Sequence, residues 1–321
     1  MRYLFGPVAS RRLGYSLGVD IIPHKVCTLD CLYCQIGPTT LKTMERKPYV
    51  EAGPVLAELE EILANKVQID CITFSGSGEP TLNSCLGDII TGIKKMCSIP
   101  VTVLTNGTLL NLPEVRAGLM QADIVCPSFD AATDAAFRRI NRPHDSLTLD
   151  LMIQGLKSFR QKFLGKIYLE VMLARGINDS PQELAAFAEI LPEFGADRIQ
   201  INTVIRPAAE DGVWAVNPVI LEHARKLFGP NAEIIGGFLK ERSLHEQENI
   251  ADRIVQLVGR HPSTADDICA ALGLTADLVH EYLTQLLTQG RIIKTIHADS
   301  TFYRVFGFPS VIPDGRMDVE K

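Results

Sequence analysis

Between residues 18 and 204, apolar runs of strand length alternate with amphipathic stretches of helix length, and few folds accept that order. The expected strands are Gly18–Pro23, Gln68–Phe74, Pro100–Leu104, Asp123–Ser128, Lys166–Leu173 and Arg198–Val204. Helical patterns lie between them at about Pro54–Asn65, Ser84–Cys97, Pro113–Gln121, Ser146–Phe163 and Pro181–Pro192. Parallel neighbours need a crossover long enough to hold a helix, so this order predicts an α/β protein with a parallel sheet. Right-handed crossovers curl such a sheet into a full or partial barrel. In barrels of this kind function gathers at the C-terminal ends of the strands. The polar clusters fall there: a cysteine loop after the first strand, TFSGSGEPTLN after the second, LTNGT after the third, CPSFDAAT after the fourth and QINTVIRPAAE after the sixth.

The cysteine loop, VCTLDCLYCQIG, carries Cys27, Cys31 and Cys34 in C-x3-C-x2-C spacing, and the next cysteine, Cys71, lies in an expected buried strand. Thiolate is the soft ligand that iron–sulfur clusters use. A cubane of four irons held by three protein ligands keeps one iron open to a small molecule, as an open zinc position does. A structural zinc site would need a fourth ligand, which only His24 or a distant group could supply. A bacterial ferredoxin run has a first gap one residue shorter and a fourth cysteine before proline. A disulfide suits a secreted chain, whereas the N-terminal MRYLFGPVASRRLG has no apolar signal core.

No apolar run approaches the ~20 residues that span a bilayer, so a cytoplasmic location without membrane association is expected. The eight cysteines would then be reduced and suited to metal chemistry. Cys71, Cys126, Cys85, Cys97 and Cys269, in strand or helix patterns, read as core thiols. A net charge of −6 excludes a broadly basic nucleic-acid surface, though not a local basic pocket.

Near residue 245 the pattern changes. Glu246–Phe306 reads as a helix over Asn249–Arg260, a short helix after Ser263, a turn at Gly273, a helix over Thr275–Gln289 and a hairpin, RIIKTI and TFYRV joined by HADS. Three helices and a hairpin predict a winged helix-turn-helix. It carries eight acidic against five basic side chains, and its expected recognition helix, TADLVHEYLTQ, has two acids and no Arg or Lys. DNA phosphates repel such a surface, so DNA binding is not expected and docking of a substrate or partner is. Domains are therefore expected at 1–245 and 246–306, with a loosely ordered tail at 307–321.

The cysteine motif, with Tyr33 just before its third cysteine, resembles the signature of the radical S-adenosylmethionine (SAM) superfamily, and the resemblance extends over roughly residues 1–240. It implies one 4Fe–4S cluster on Cys27, Cys31 and Cys34, with SAM on the open iron. SGSGEP resembles the superfamily's glycine motif, so Gly76, Gly78 and Glu79 carry over as SAM contacts; Ser77 stands where the usual Gly-Gly-Glu has its first adjacent glycine. Tyr33 carries over beside adenine. Asn106, Ser128, Asp130 and Asn202, all at strand ends, carry over as further SAM contacts. Asn106 has an alternative as a turn former, and Ser128 with Asp130 as an N-cap pair. Glu170 on the fifth strand faces either inward or outward.

The segments GPVASRRLGYSLGVDIIPHKVCTLDCLYCQIG, INRPHDSL and INTVIRPAAE resemble Fe–S oxidoreductases related to wyosine-type tRNA-modification enzymes. No cysteine precedes Cys27, where archaeal wyosine enzymes carry ligands of a second cluster. The implied chemistry is reductive cleavage of SAM to methionine and a 5′-deoxyadenosyl radical that removes hydrogen from substrate. Electrons would come from a donor such as flavodoxin or ferredoxin. Arg11, Arg12, Lys25, Arg142, His144 and Arg206 lie near the expected barrel mouth. Together they suggest an anionic substrate, because Arg forks suit phosphate and carboxylate. tRNA or a nucleotide fits first, a peptide or metabolite second, and a cluster-containing DNA-binding redox sensor is the reading from another class.

Overall fold

Among the described residues, seven strands of one sheet lie parallel because the segment joining each to the next is long enough to cross over and return. The computed structural model describes residues 2–10, 13–65, 67–235, 250–260, 262–297 and 300–305. β1 (Leu4–Ser10) is antiparallel to β2 (Gly14–Val19). A two-stranded ribbon, β3 (Val26–Cys27) and β4 (Leu41–Lys42), brackets the cysteine loop. The main sheet continues through β5 (Cys71–Phe74), β6 (Val101–Thr105), β7 (Ile124–Pro127), β8 (Lys166–Leu173), β9 (Arg198–Thr203) and β10 (Ala232–Ile234), in the order β1-β2-β5-β6-β7-β8-β9-β10. The crossovers carry α1 (Ala52–Ala64), α2 (Leu86–Met96), α3 (Pro113–Leu119), α4 (Asp134–Ile140), α5 (Leu149–Arg160), α6 (Pro181–Ile190) and α7 (Pro218–Leu227). The result is an open, partial α/β barrel.

All six expected strands form, with two edge strands that the pattern does not announce. Gly6-Pro7 interrupts the apolar run of β1, and its pairing slips between Phe5 and Val8. β10, of three residues, is too short to show a period. The first parallel strand ends at Val19, earlier than expected, and Ile21 and Ile22 continue the apolar run as buried anchors of the loop. Helices α4 and α7 were also not expected; Thr133 and Asn217 cap them through bonds from Ala136 N and Val219 N. Since Thr133 is the cap of α4, neither Ser128 nor Asp130 takes the alternative N-cap role.

The core lies between sheet and helices. Phe129 meets Phe187 and Phe194 edge-on, with ring centroids 5.8 and 4.8 Å apart. All three are buried, and each contributes roughly 1.5–3 kcal/mol.

A second, separate core belongs to α8 (Ile250–Arg260), α9 (Ala265–Leu272), α10 (Ala276–Thr288) and the hairpin of β11 (Ile293–His297) and β12 (Ser300–Arg304). This is the expected winged helix. Thr264 and Asp267 form a capping box that starts α9, and left-handed Gly273 ends it. The 245/246 boundary and the 307–321 tail lie outside the described residues. Helices α8 and α9 pack on β1, whose Val8 joins the second core. Among the described residues no helix is long and apolar enough to cross a membrane.

Candidate active site

The chain leaves β2 at Asp20 and crosses the C-terminal end of the sheet as the cysteine loop. Buried Leu29 and Leu32 anchor this loop, and Asp30 N and Leu32 N donate to the carbonyls of Asn141 and Ile140. Cys27, Cys31 and Cys34 are free, half-buried thiols. Each sulfur accepts one N–H: Asn106 Nδ2 at 3.5 Å on Cys27, Asn141 Nδ2 at 3.4 Å on Cys31 and Lys25 Nζ at 3.0 Å on Cys34. Burial pushes the Cys27 thiol up to about 12, with the Glu79 carboxylate adding to it. Burial, then Asp130, also raises the Cys31 thiol well above its ordinary value. Among the described residues no three His, Cys, Asp or Glu side chains converge on a point that would hold one metal ion. Three soft sulfurs on one short loop, each with its own donor, fit a multinuclear iron–sulfur group, whose positive irons turn such thiols into thiolates.

The SGSGEP turn after β5 packs directly on this loop. Gly76 takes φ +135°, and a Cβ there would lie 2.6 Å from Asp20 Cγ. A Cβ at Gly78 would lie 2.1 Å from the Val26 carbonyl oxygen, which accepts a bond from Glu79 N. Both glycines thus permit contact between turn and cysteine loop. Glu79 is 2% exposed. Its Oε1 accepts from Thr81 N, Thr81 Oγ1 and Thr105 Oγ1 at 3.0, 2.5 and 2.6 Å. Oε2 accepts from Asn106 N at 2.7 Å, and among the described residues no other donor reaches it, so one lone-pair direction remains for a ligand donor. Burial pushes the Glu79 carboxyl up, and these bonds oppose the shift. Asp20, also raised by burial, is opposed first by Arg260 and then by Ser77.

Asp130 does not line the cavity at the strand ends. Its carboxylate accepts from Tyr33 Oη, from Asn141 Nδ2 at 2.9 Å and from Met172 N at 3.0 Å. Burial pushes it up to about 6, against those bonds. It lies behind the wall and aims Tyr33 and Asn141. Asn106 also points at the cysteine loop, donating to Thr28 Oγ1 at 2.8 Å. Ser128, Glu170 and Asn202 face the cavity, with Asn202 Nδ2 donating to Glu170 Oε1 at 3.1 Å. Glu170 therefore faces inward.

The cavity has a volume of about 420 Å³ and runs from Cys27, Tyr33 and Cys34 past Gly76–Glu79 to the ends of β6–β9. That volume suits a cofactor-sized ligand. Of the expected substrate contacts, Lys25 and Arg206 line it. Lys25 is buried at left-handed φ 58°, and Arg206 Nη1 donates to Gln35 Oε1 at 3.1 Å. Arg142 and His144 do not line it. Arg142 pairs with Glu210 at 2.5 Å, and His144 Nδ1 meets Ser146 Oγ at 2.8 Å. Arg11 and Arg12 lie outside the described residues. The sequence reading missed Asn141, Asp20 and Arg260. Asp20, directly beside the loop, was the one with a local signal.

Residues 21–188 match the radical SAM superfamily, and residues 239–294 match the DprA winged helix domain. The chain is 31% identical over 312 residues to a UPF0026 protein of Methanocaldococcus jannaschii, covering 94% of this chain and 96% of that one. A UPF0026 protein of Helicobacter pylori is 30% identical over 311 residues, with 94% and 97% covered. A protein named GTPase Obg from Brachyspira hyodysenteriae is 37% identical over 296 residues; the match takes in 91% of this chain and 44% of that protein, so the chain spans less than half of this relative. Among solved structures, a radical SAM methyltransferase from Sphaerobacter thermophilus superposes with a TM-score of 0.51 at 15% identity, over 68% of this chain and 65% of that one. At that identity the likeness is one of fold.

Proposed function

Because the chain belongs to the radical SAM superfamily of enzymes and to the UPF0026 family, we propose that it cleaves SAM reductively and uses the resulting radical on an anionic substrate. The superfamily implies a 4Fe–4S cluster and SAM. Cys27, Cys31 and Cys34 would hold the cluster. A cluster held there would supply the electron for reductive cleavage of the carbon–sulfur bond of SAM. Glu79 Oε2 has room to accept the SAM ammonium, while its other bonds keep the carboxylate in place. Tyr33, fixed by Asp130, offers its ring to adenine. Ser128 and Asn202 offer polar contacts from the C-terminal ends of β7 and β9. The observation that carries this reading is the N–H donor aimed at each of the three sulfurs of one short loop, two of which, Cys27 and Cys34, line the cavity.

Arg206 and Lys25 on the wall support an anionic substrate, and the wyosine-like segments support tRNA as the first to try. The acidic face of α10, with Asp277 and Glu281, supports docking of a substrate or partner protein over DNA. A flavodoxin or ferredoxin would deliver the electron. Anaerobically reconstituted protein treated with dithionite and SAM should form 5′-deoxyadenosine and methionine, measured by mass spectrometry. A full, reducible cluster with no 5′-deoxyadenosine would overturn the reading. Screening tRNA, peptide and metabolite fractions for faster SAM turnover then identifies the substrate class.

A further inference from the structure

Every residue that the sequence assigns to chemistry precedes the winged helix, yet one side chain of that domain lines the cavity. Arg260, the last residue of α8, donates through Nη1 to Asp20 Oδ2 and, at 3.0 Å, to Ser77 Oγ. Its guanidinium stands 4.9 Å from the centre of the Phe5 ring. That ring occupies the space a side chain at Gly18 would need, since a Cβ there would lie 2.0 Å from Phe5 Cζ. Gly18, Phe5 and Arg260 thus form a stack from β2 through β1 to α8.

Asp20 is the hinge of this contact. Its carboxylate accepts from Ser77 N at 3.2 Å and Ser77 Oγ at 2.6 Å, and it presses on Gly76. The turn that carries Glu79 is therefore seated on Asp20, and the charge of Asp20 is balanced from the other domain. Ser77 replaces a glycine of the usual superfamily pattern, and its hydroxyl bonds the turn directly to both Asp20 and Arg260, which a glycine there could not do. The departure in the motif and the added domain meet at this hydrogen bond.

We propose that Arg260 is a positioning residue of the SAM cradle, supplied by the winged helix to pin Asp20 and Ser77 and so fix the turn that presents Glu79. This rests on the reading that the amino-acid end of SAM sits at that turn. The winged helix is then a structural part of the SAM site as well as a docking surface.

The test uses the full chain, reconstituted anaerobically, with SAM affinity measured by calorimetry beside iron content and melting temperature. Arg260→Gln should weaken SAM binding about tenfold, the scale of one charge-assisted hydrogen bond, with iron content and melting temperature retained. Arg260→Lys, which keeps the charge, should recover part of the loss. In a Ser77→Gly background Arg260→Gln should cost much less, because the two side chains act through one network. Unchanged SAM affinity in Arg260→Gln at full iron content, or additive losses in the double variant, would overturn the proposal. If Arg260→Gln fails to fold, Arg260→Lys and Ser77→Gly decide alone: wild-type affinity in both overturns it, and a loss in both at full iron content supports it. Wild-type protein that holds iron and binds no SAM brings down the functional reading and this proposal together. Wild-type binding with an indifferent Arg260 brings down this proposal alone.

Discussion

A hydrogen bond to a cysteine sulfur stabilises the more negative state of an iron–sulfur cluster, so the donors around the loop set the ease of reduction. The Asn141 side-chain NH2 donates to two acceptors, Cys31 Sγ and Asp130 Oδ2. Asn141→Leu, of similar size, should leave iron content intact and lower the midpoint potential by about 60 mV, the one-electron equivalent of a tenfold change. A redox titration followed by electron paramagnetic resonance reads the shift, and an unchanged potential would remove Asn141 from the electrostatics of the site. Local spacing reveals the three cysteines, but Asn141 lies 110 residues from Cys31 and ends the short helix α4 with no pattern of its own. Glu79 was legible for the opposite reason, as it sits inside a recognisable turn. That Oε1 is saturated by Thr81 and Thr105 was not, because Thr105 comes from another strand.

At the scale of elements, the turn after β5 and the cysteine loop after β2 behave as one unit. They are joined by Lys25 N to Ser77 O at 2.6 Å and by Glu79 N to Val26 O at 3.1 Å. Gly78→Ala would push a methyl group into the Val26 carbonyl. Overpacking of this kind costs roughly 1–3 kcal/mol, and here it falls on the backbone that carries Cys27. Reconstituted Gly78→Ala should hold less iron than wild type and melt several degrees lower. Full iron loading at the wild-type melting temperature would show that the loop yields easily. Gly87, whose Cβ would meet Gly118 Cα at 2.8 Å, makes the equivalent close contact between α2 and α3, away from the cavity. Gly87→Ala should therefore lower the melting temperature without changing iron content.

In the whole molecule the two cores meet along β1. Among the described residues α8 and α9 pack on it, while α10 packs on α8 and α9. A second contact runs from Arg206, on the loop after β9, to Asp267 of α9 at 3.8 Å, and a third is the stack of Trp214 on His297 at 5.0 Å. If Arg260 couples the cradle to its domain, SAM added to cluster-loaded protein should slow amide exchange in the last turn of α8 and leave α10 unchanged. Equal protection of α8 and α10 would point to general tightening of the domain.

The order of strands, the position of polar clusters at their C-terminal ends, the cysteine triad and the winged helix are properties of contiguous segments. Apolar period, turn residues and ligand spacing act over a few residues, so the sequence by itself determined them. Tertiary structure decided which polar groups share a cavity. It brought Asp20 against Arg260, 240 residues away, turned Asp130 behind the wall to hold Tyr33, and left Arg142 and His144 outside. Those outcomes follow from how two separate cores pack across an edge strand whose pattern Gly6-Pro7 conceals, and long-range packing leaves no local period to read.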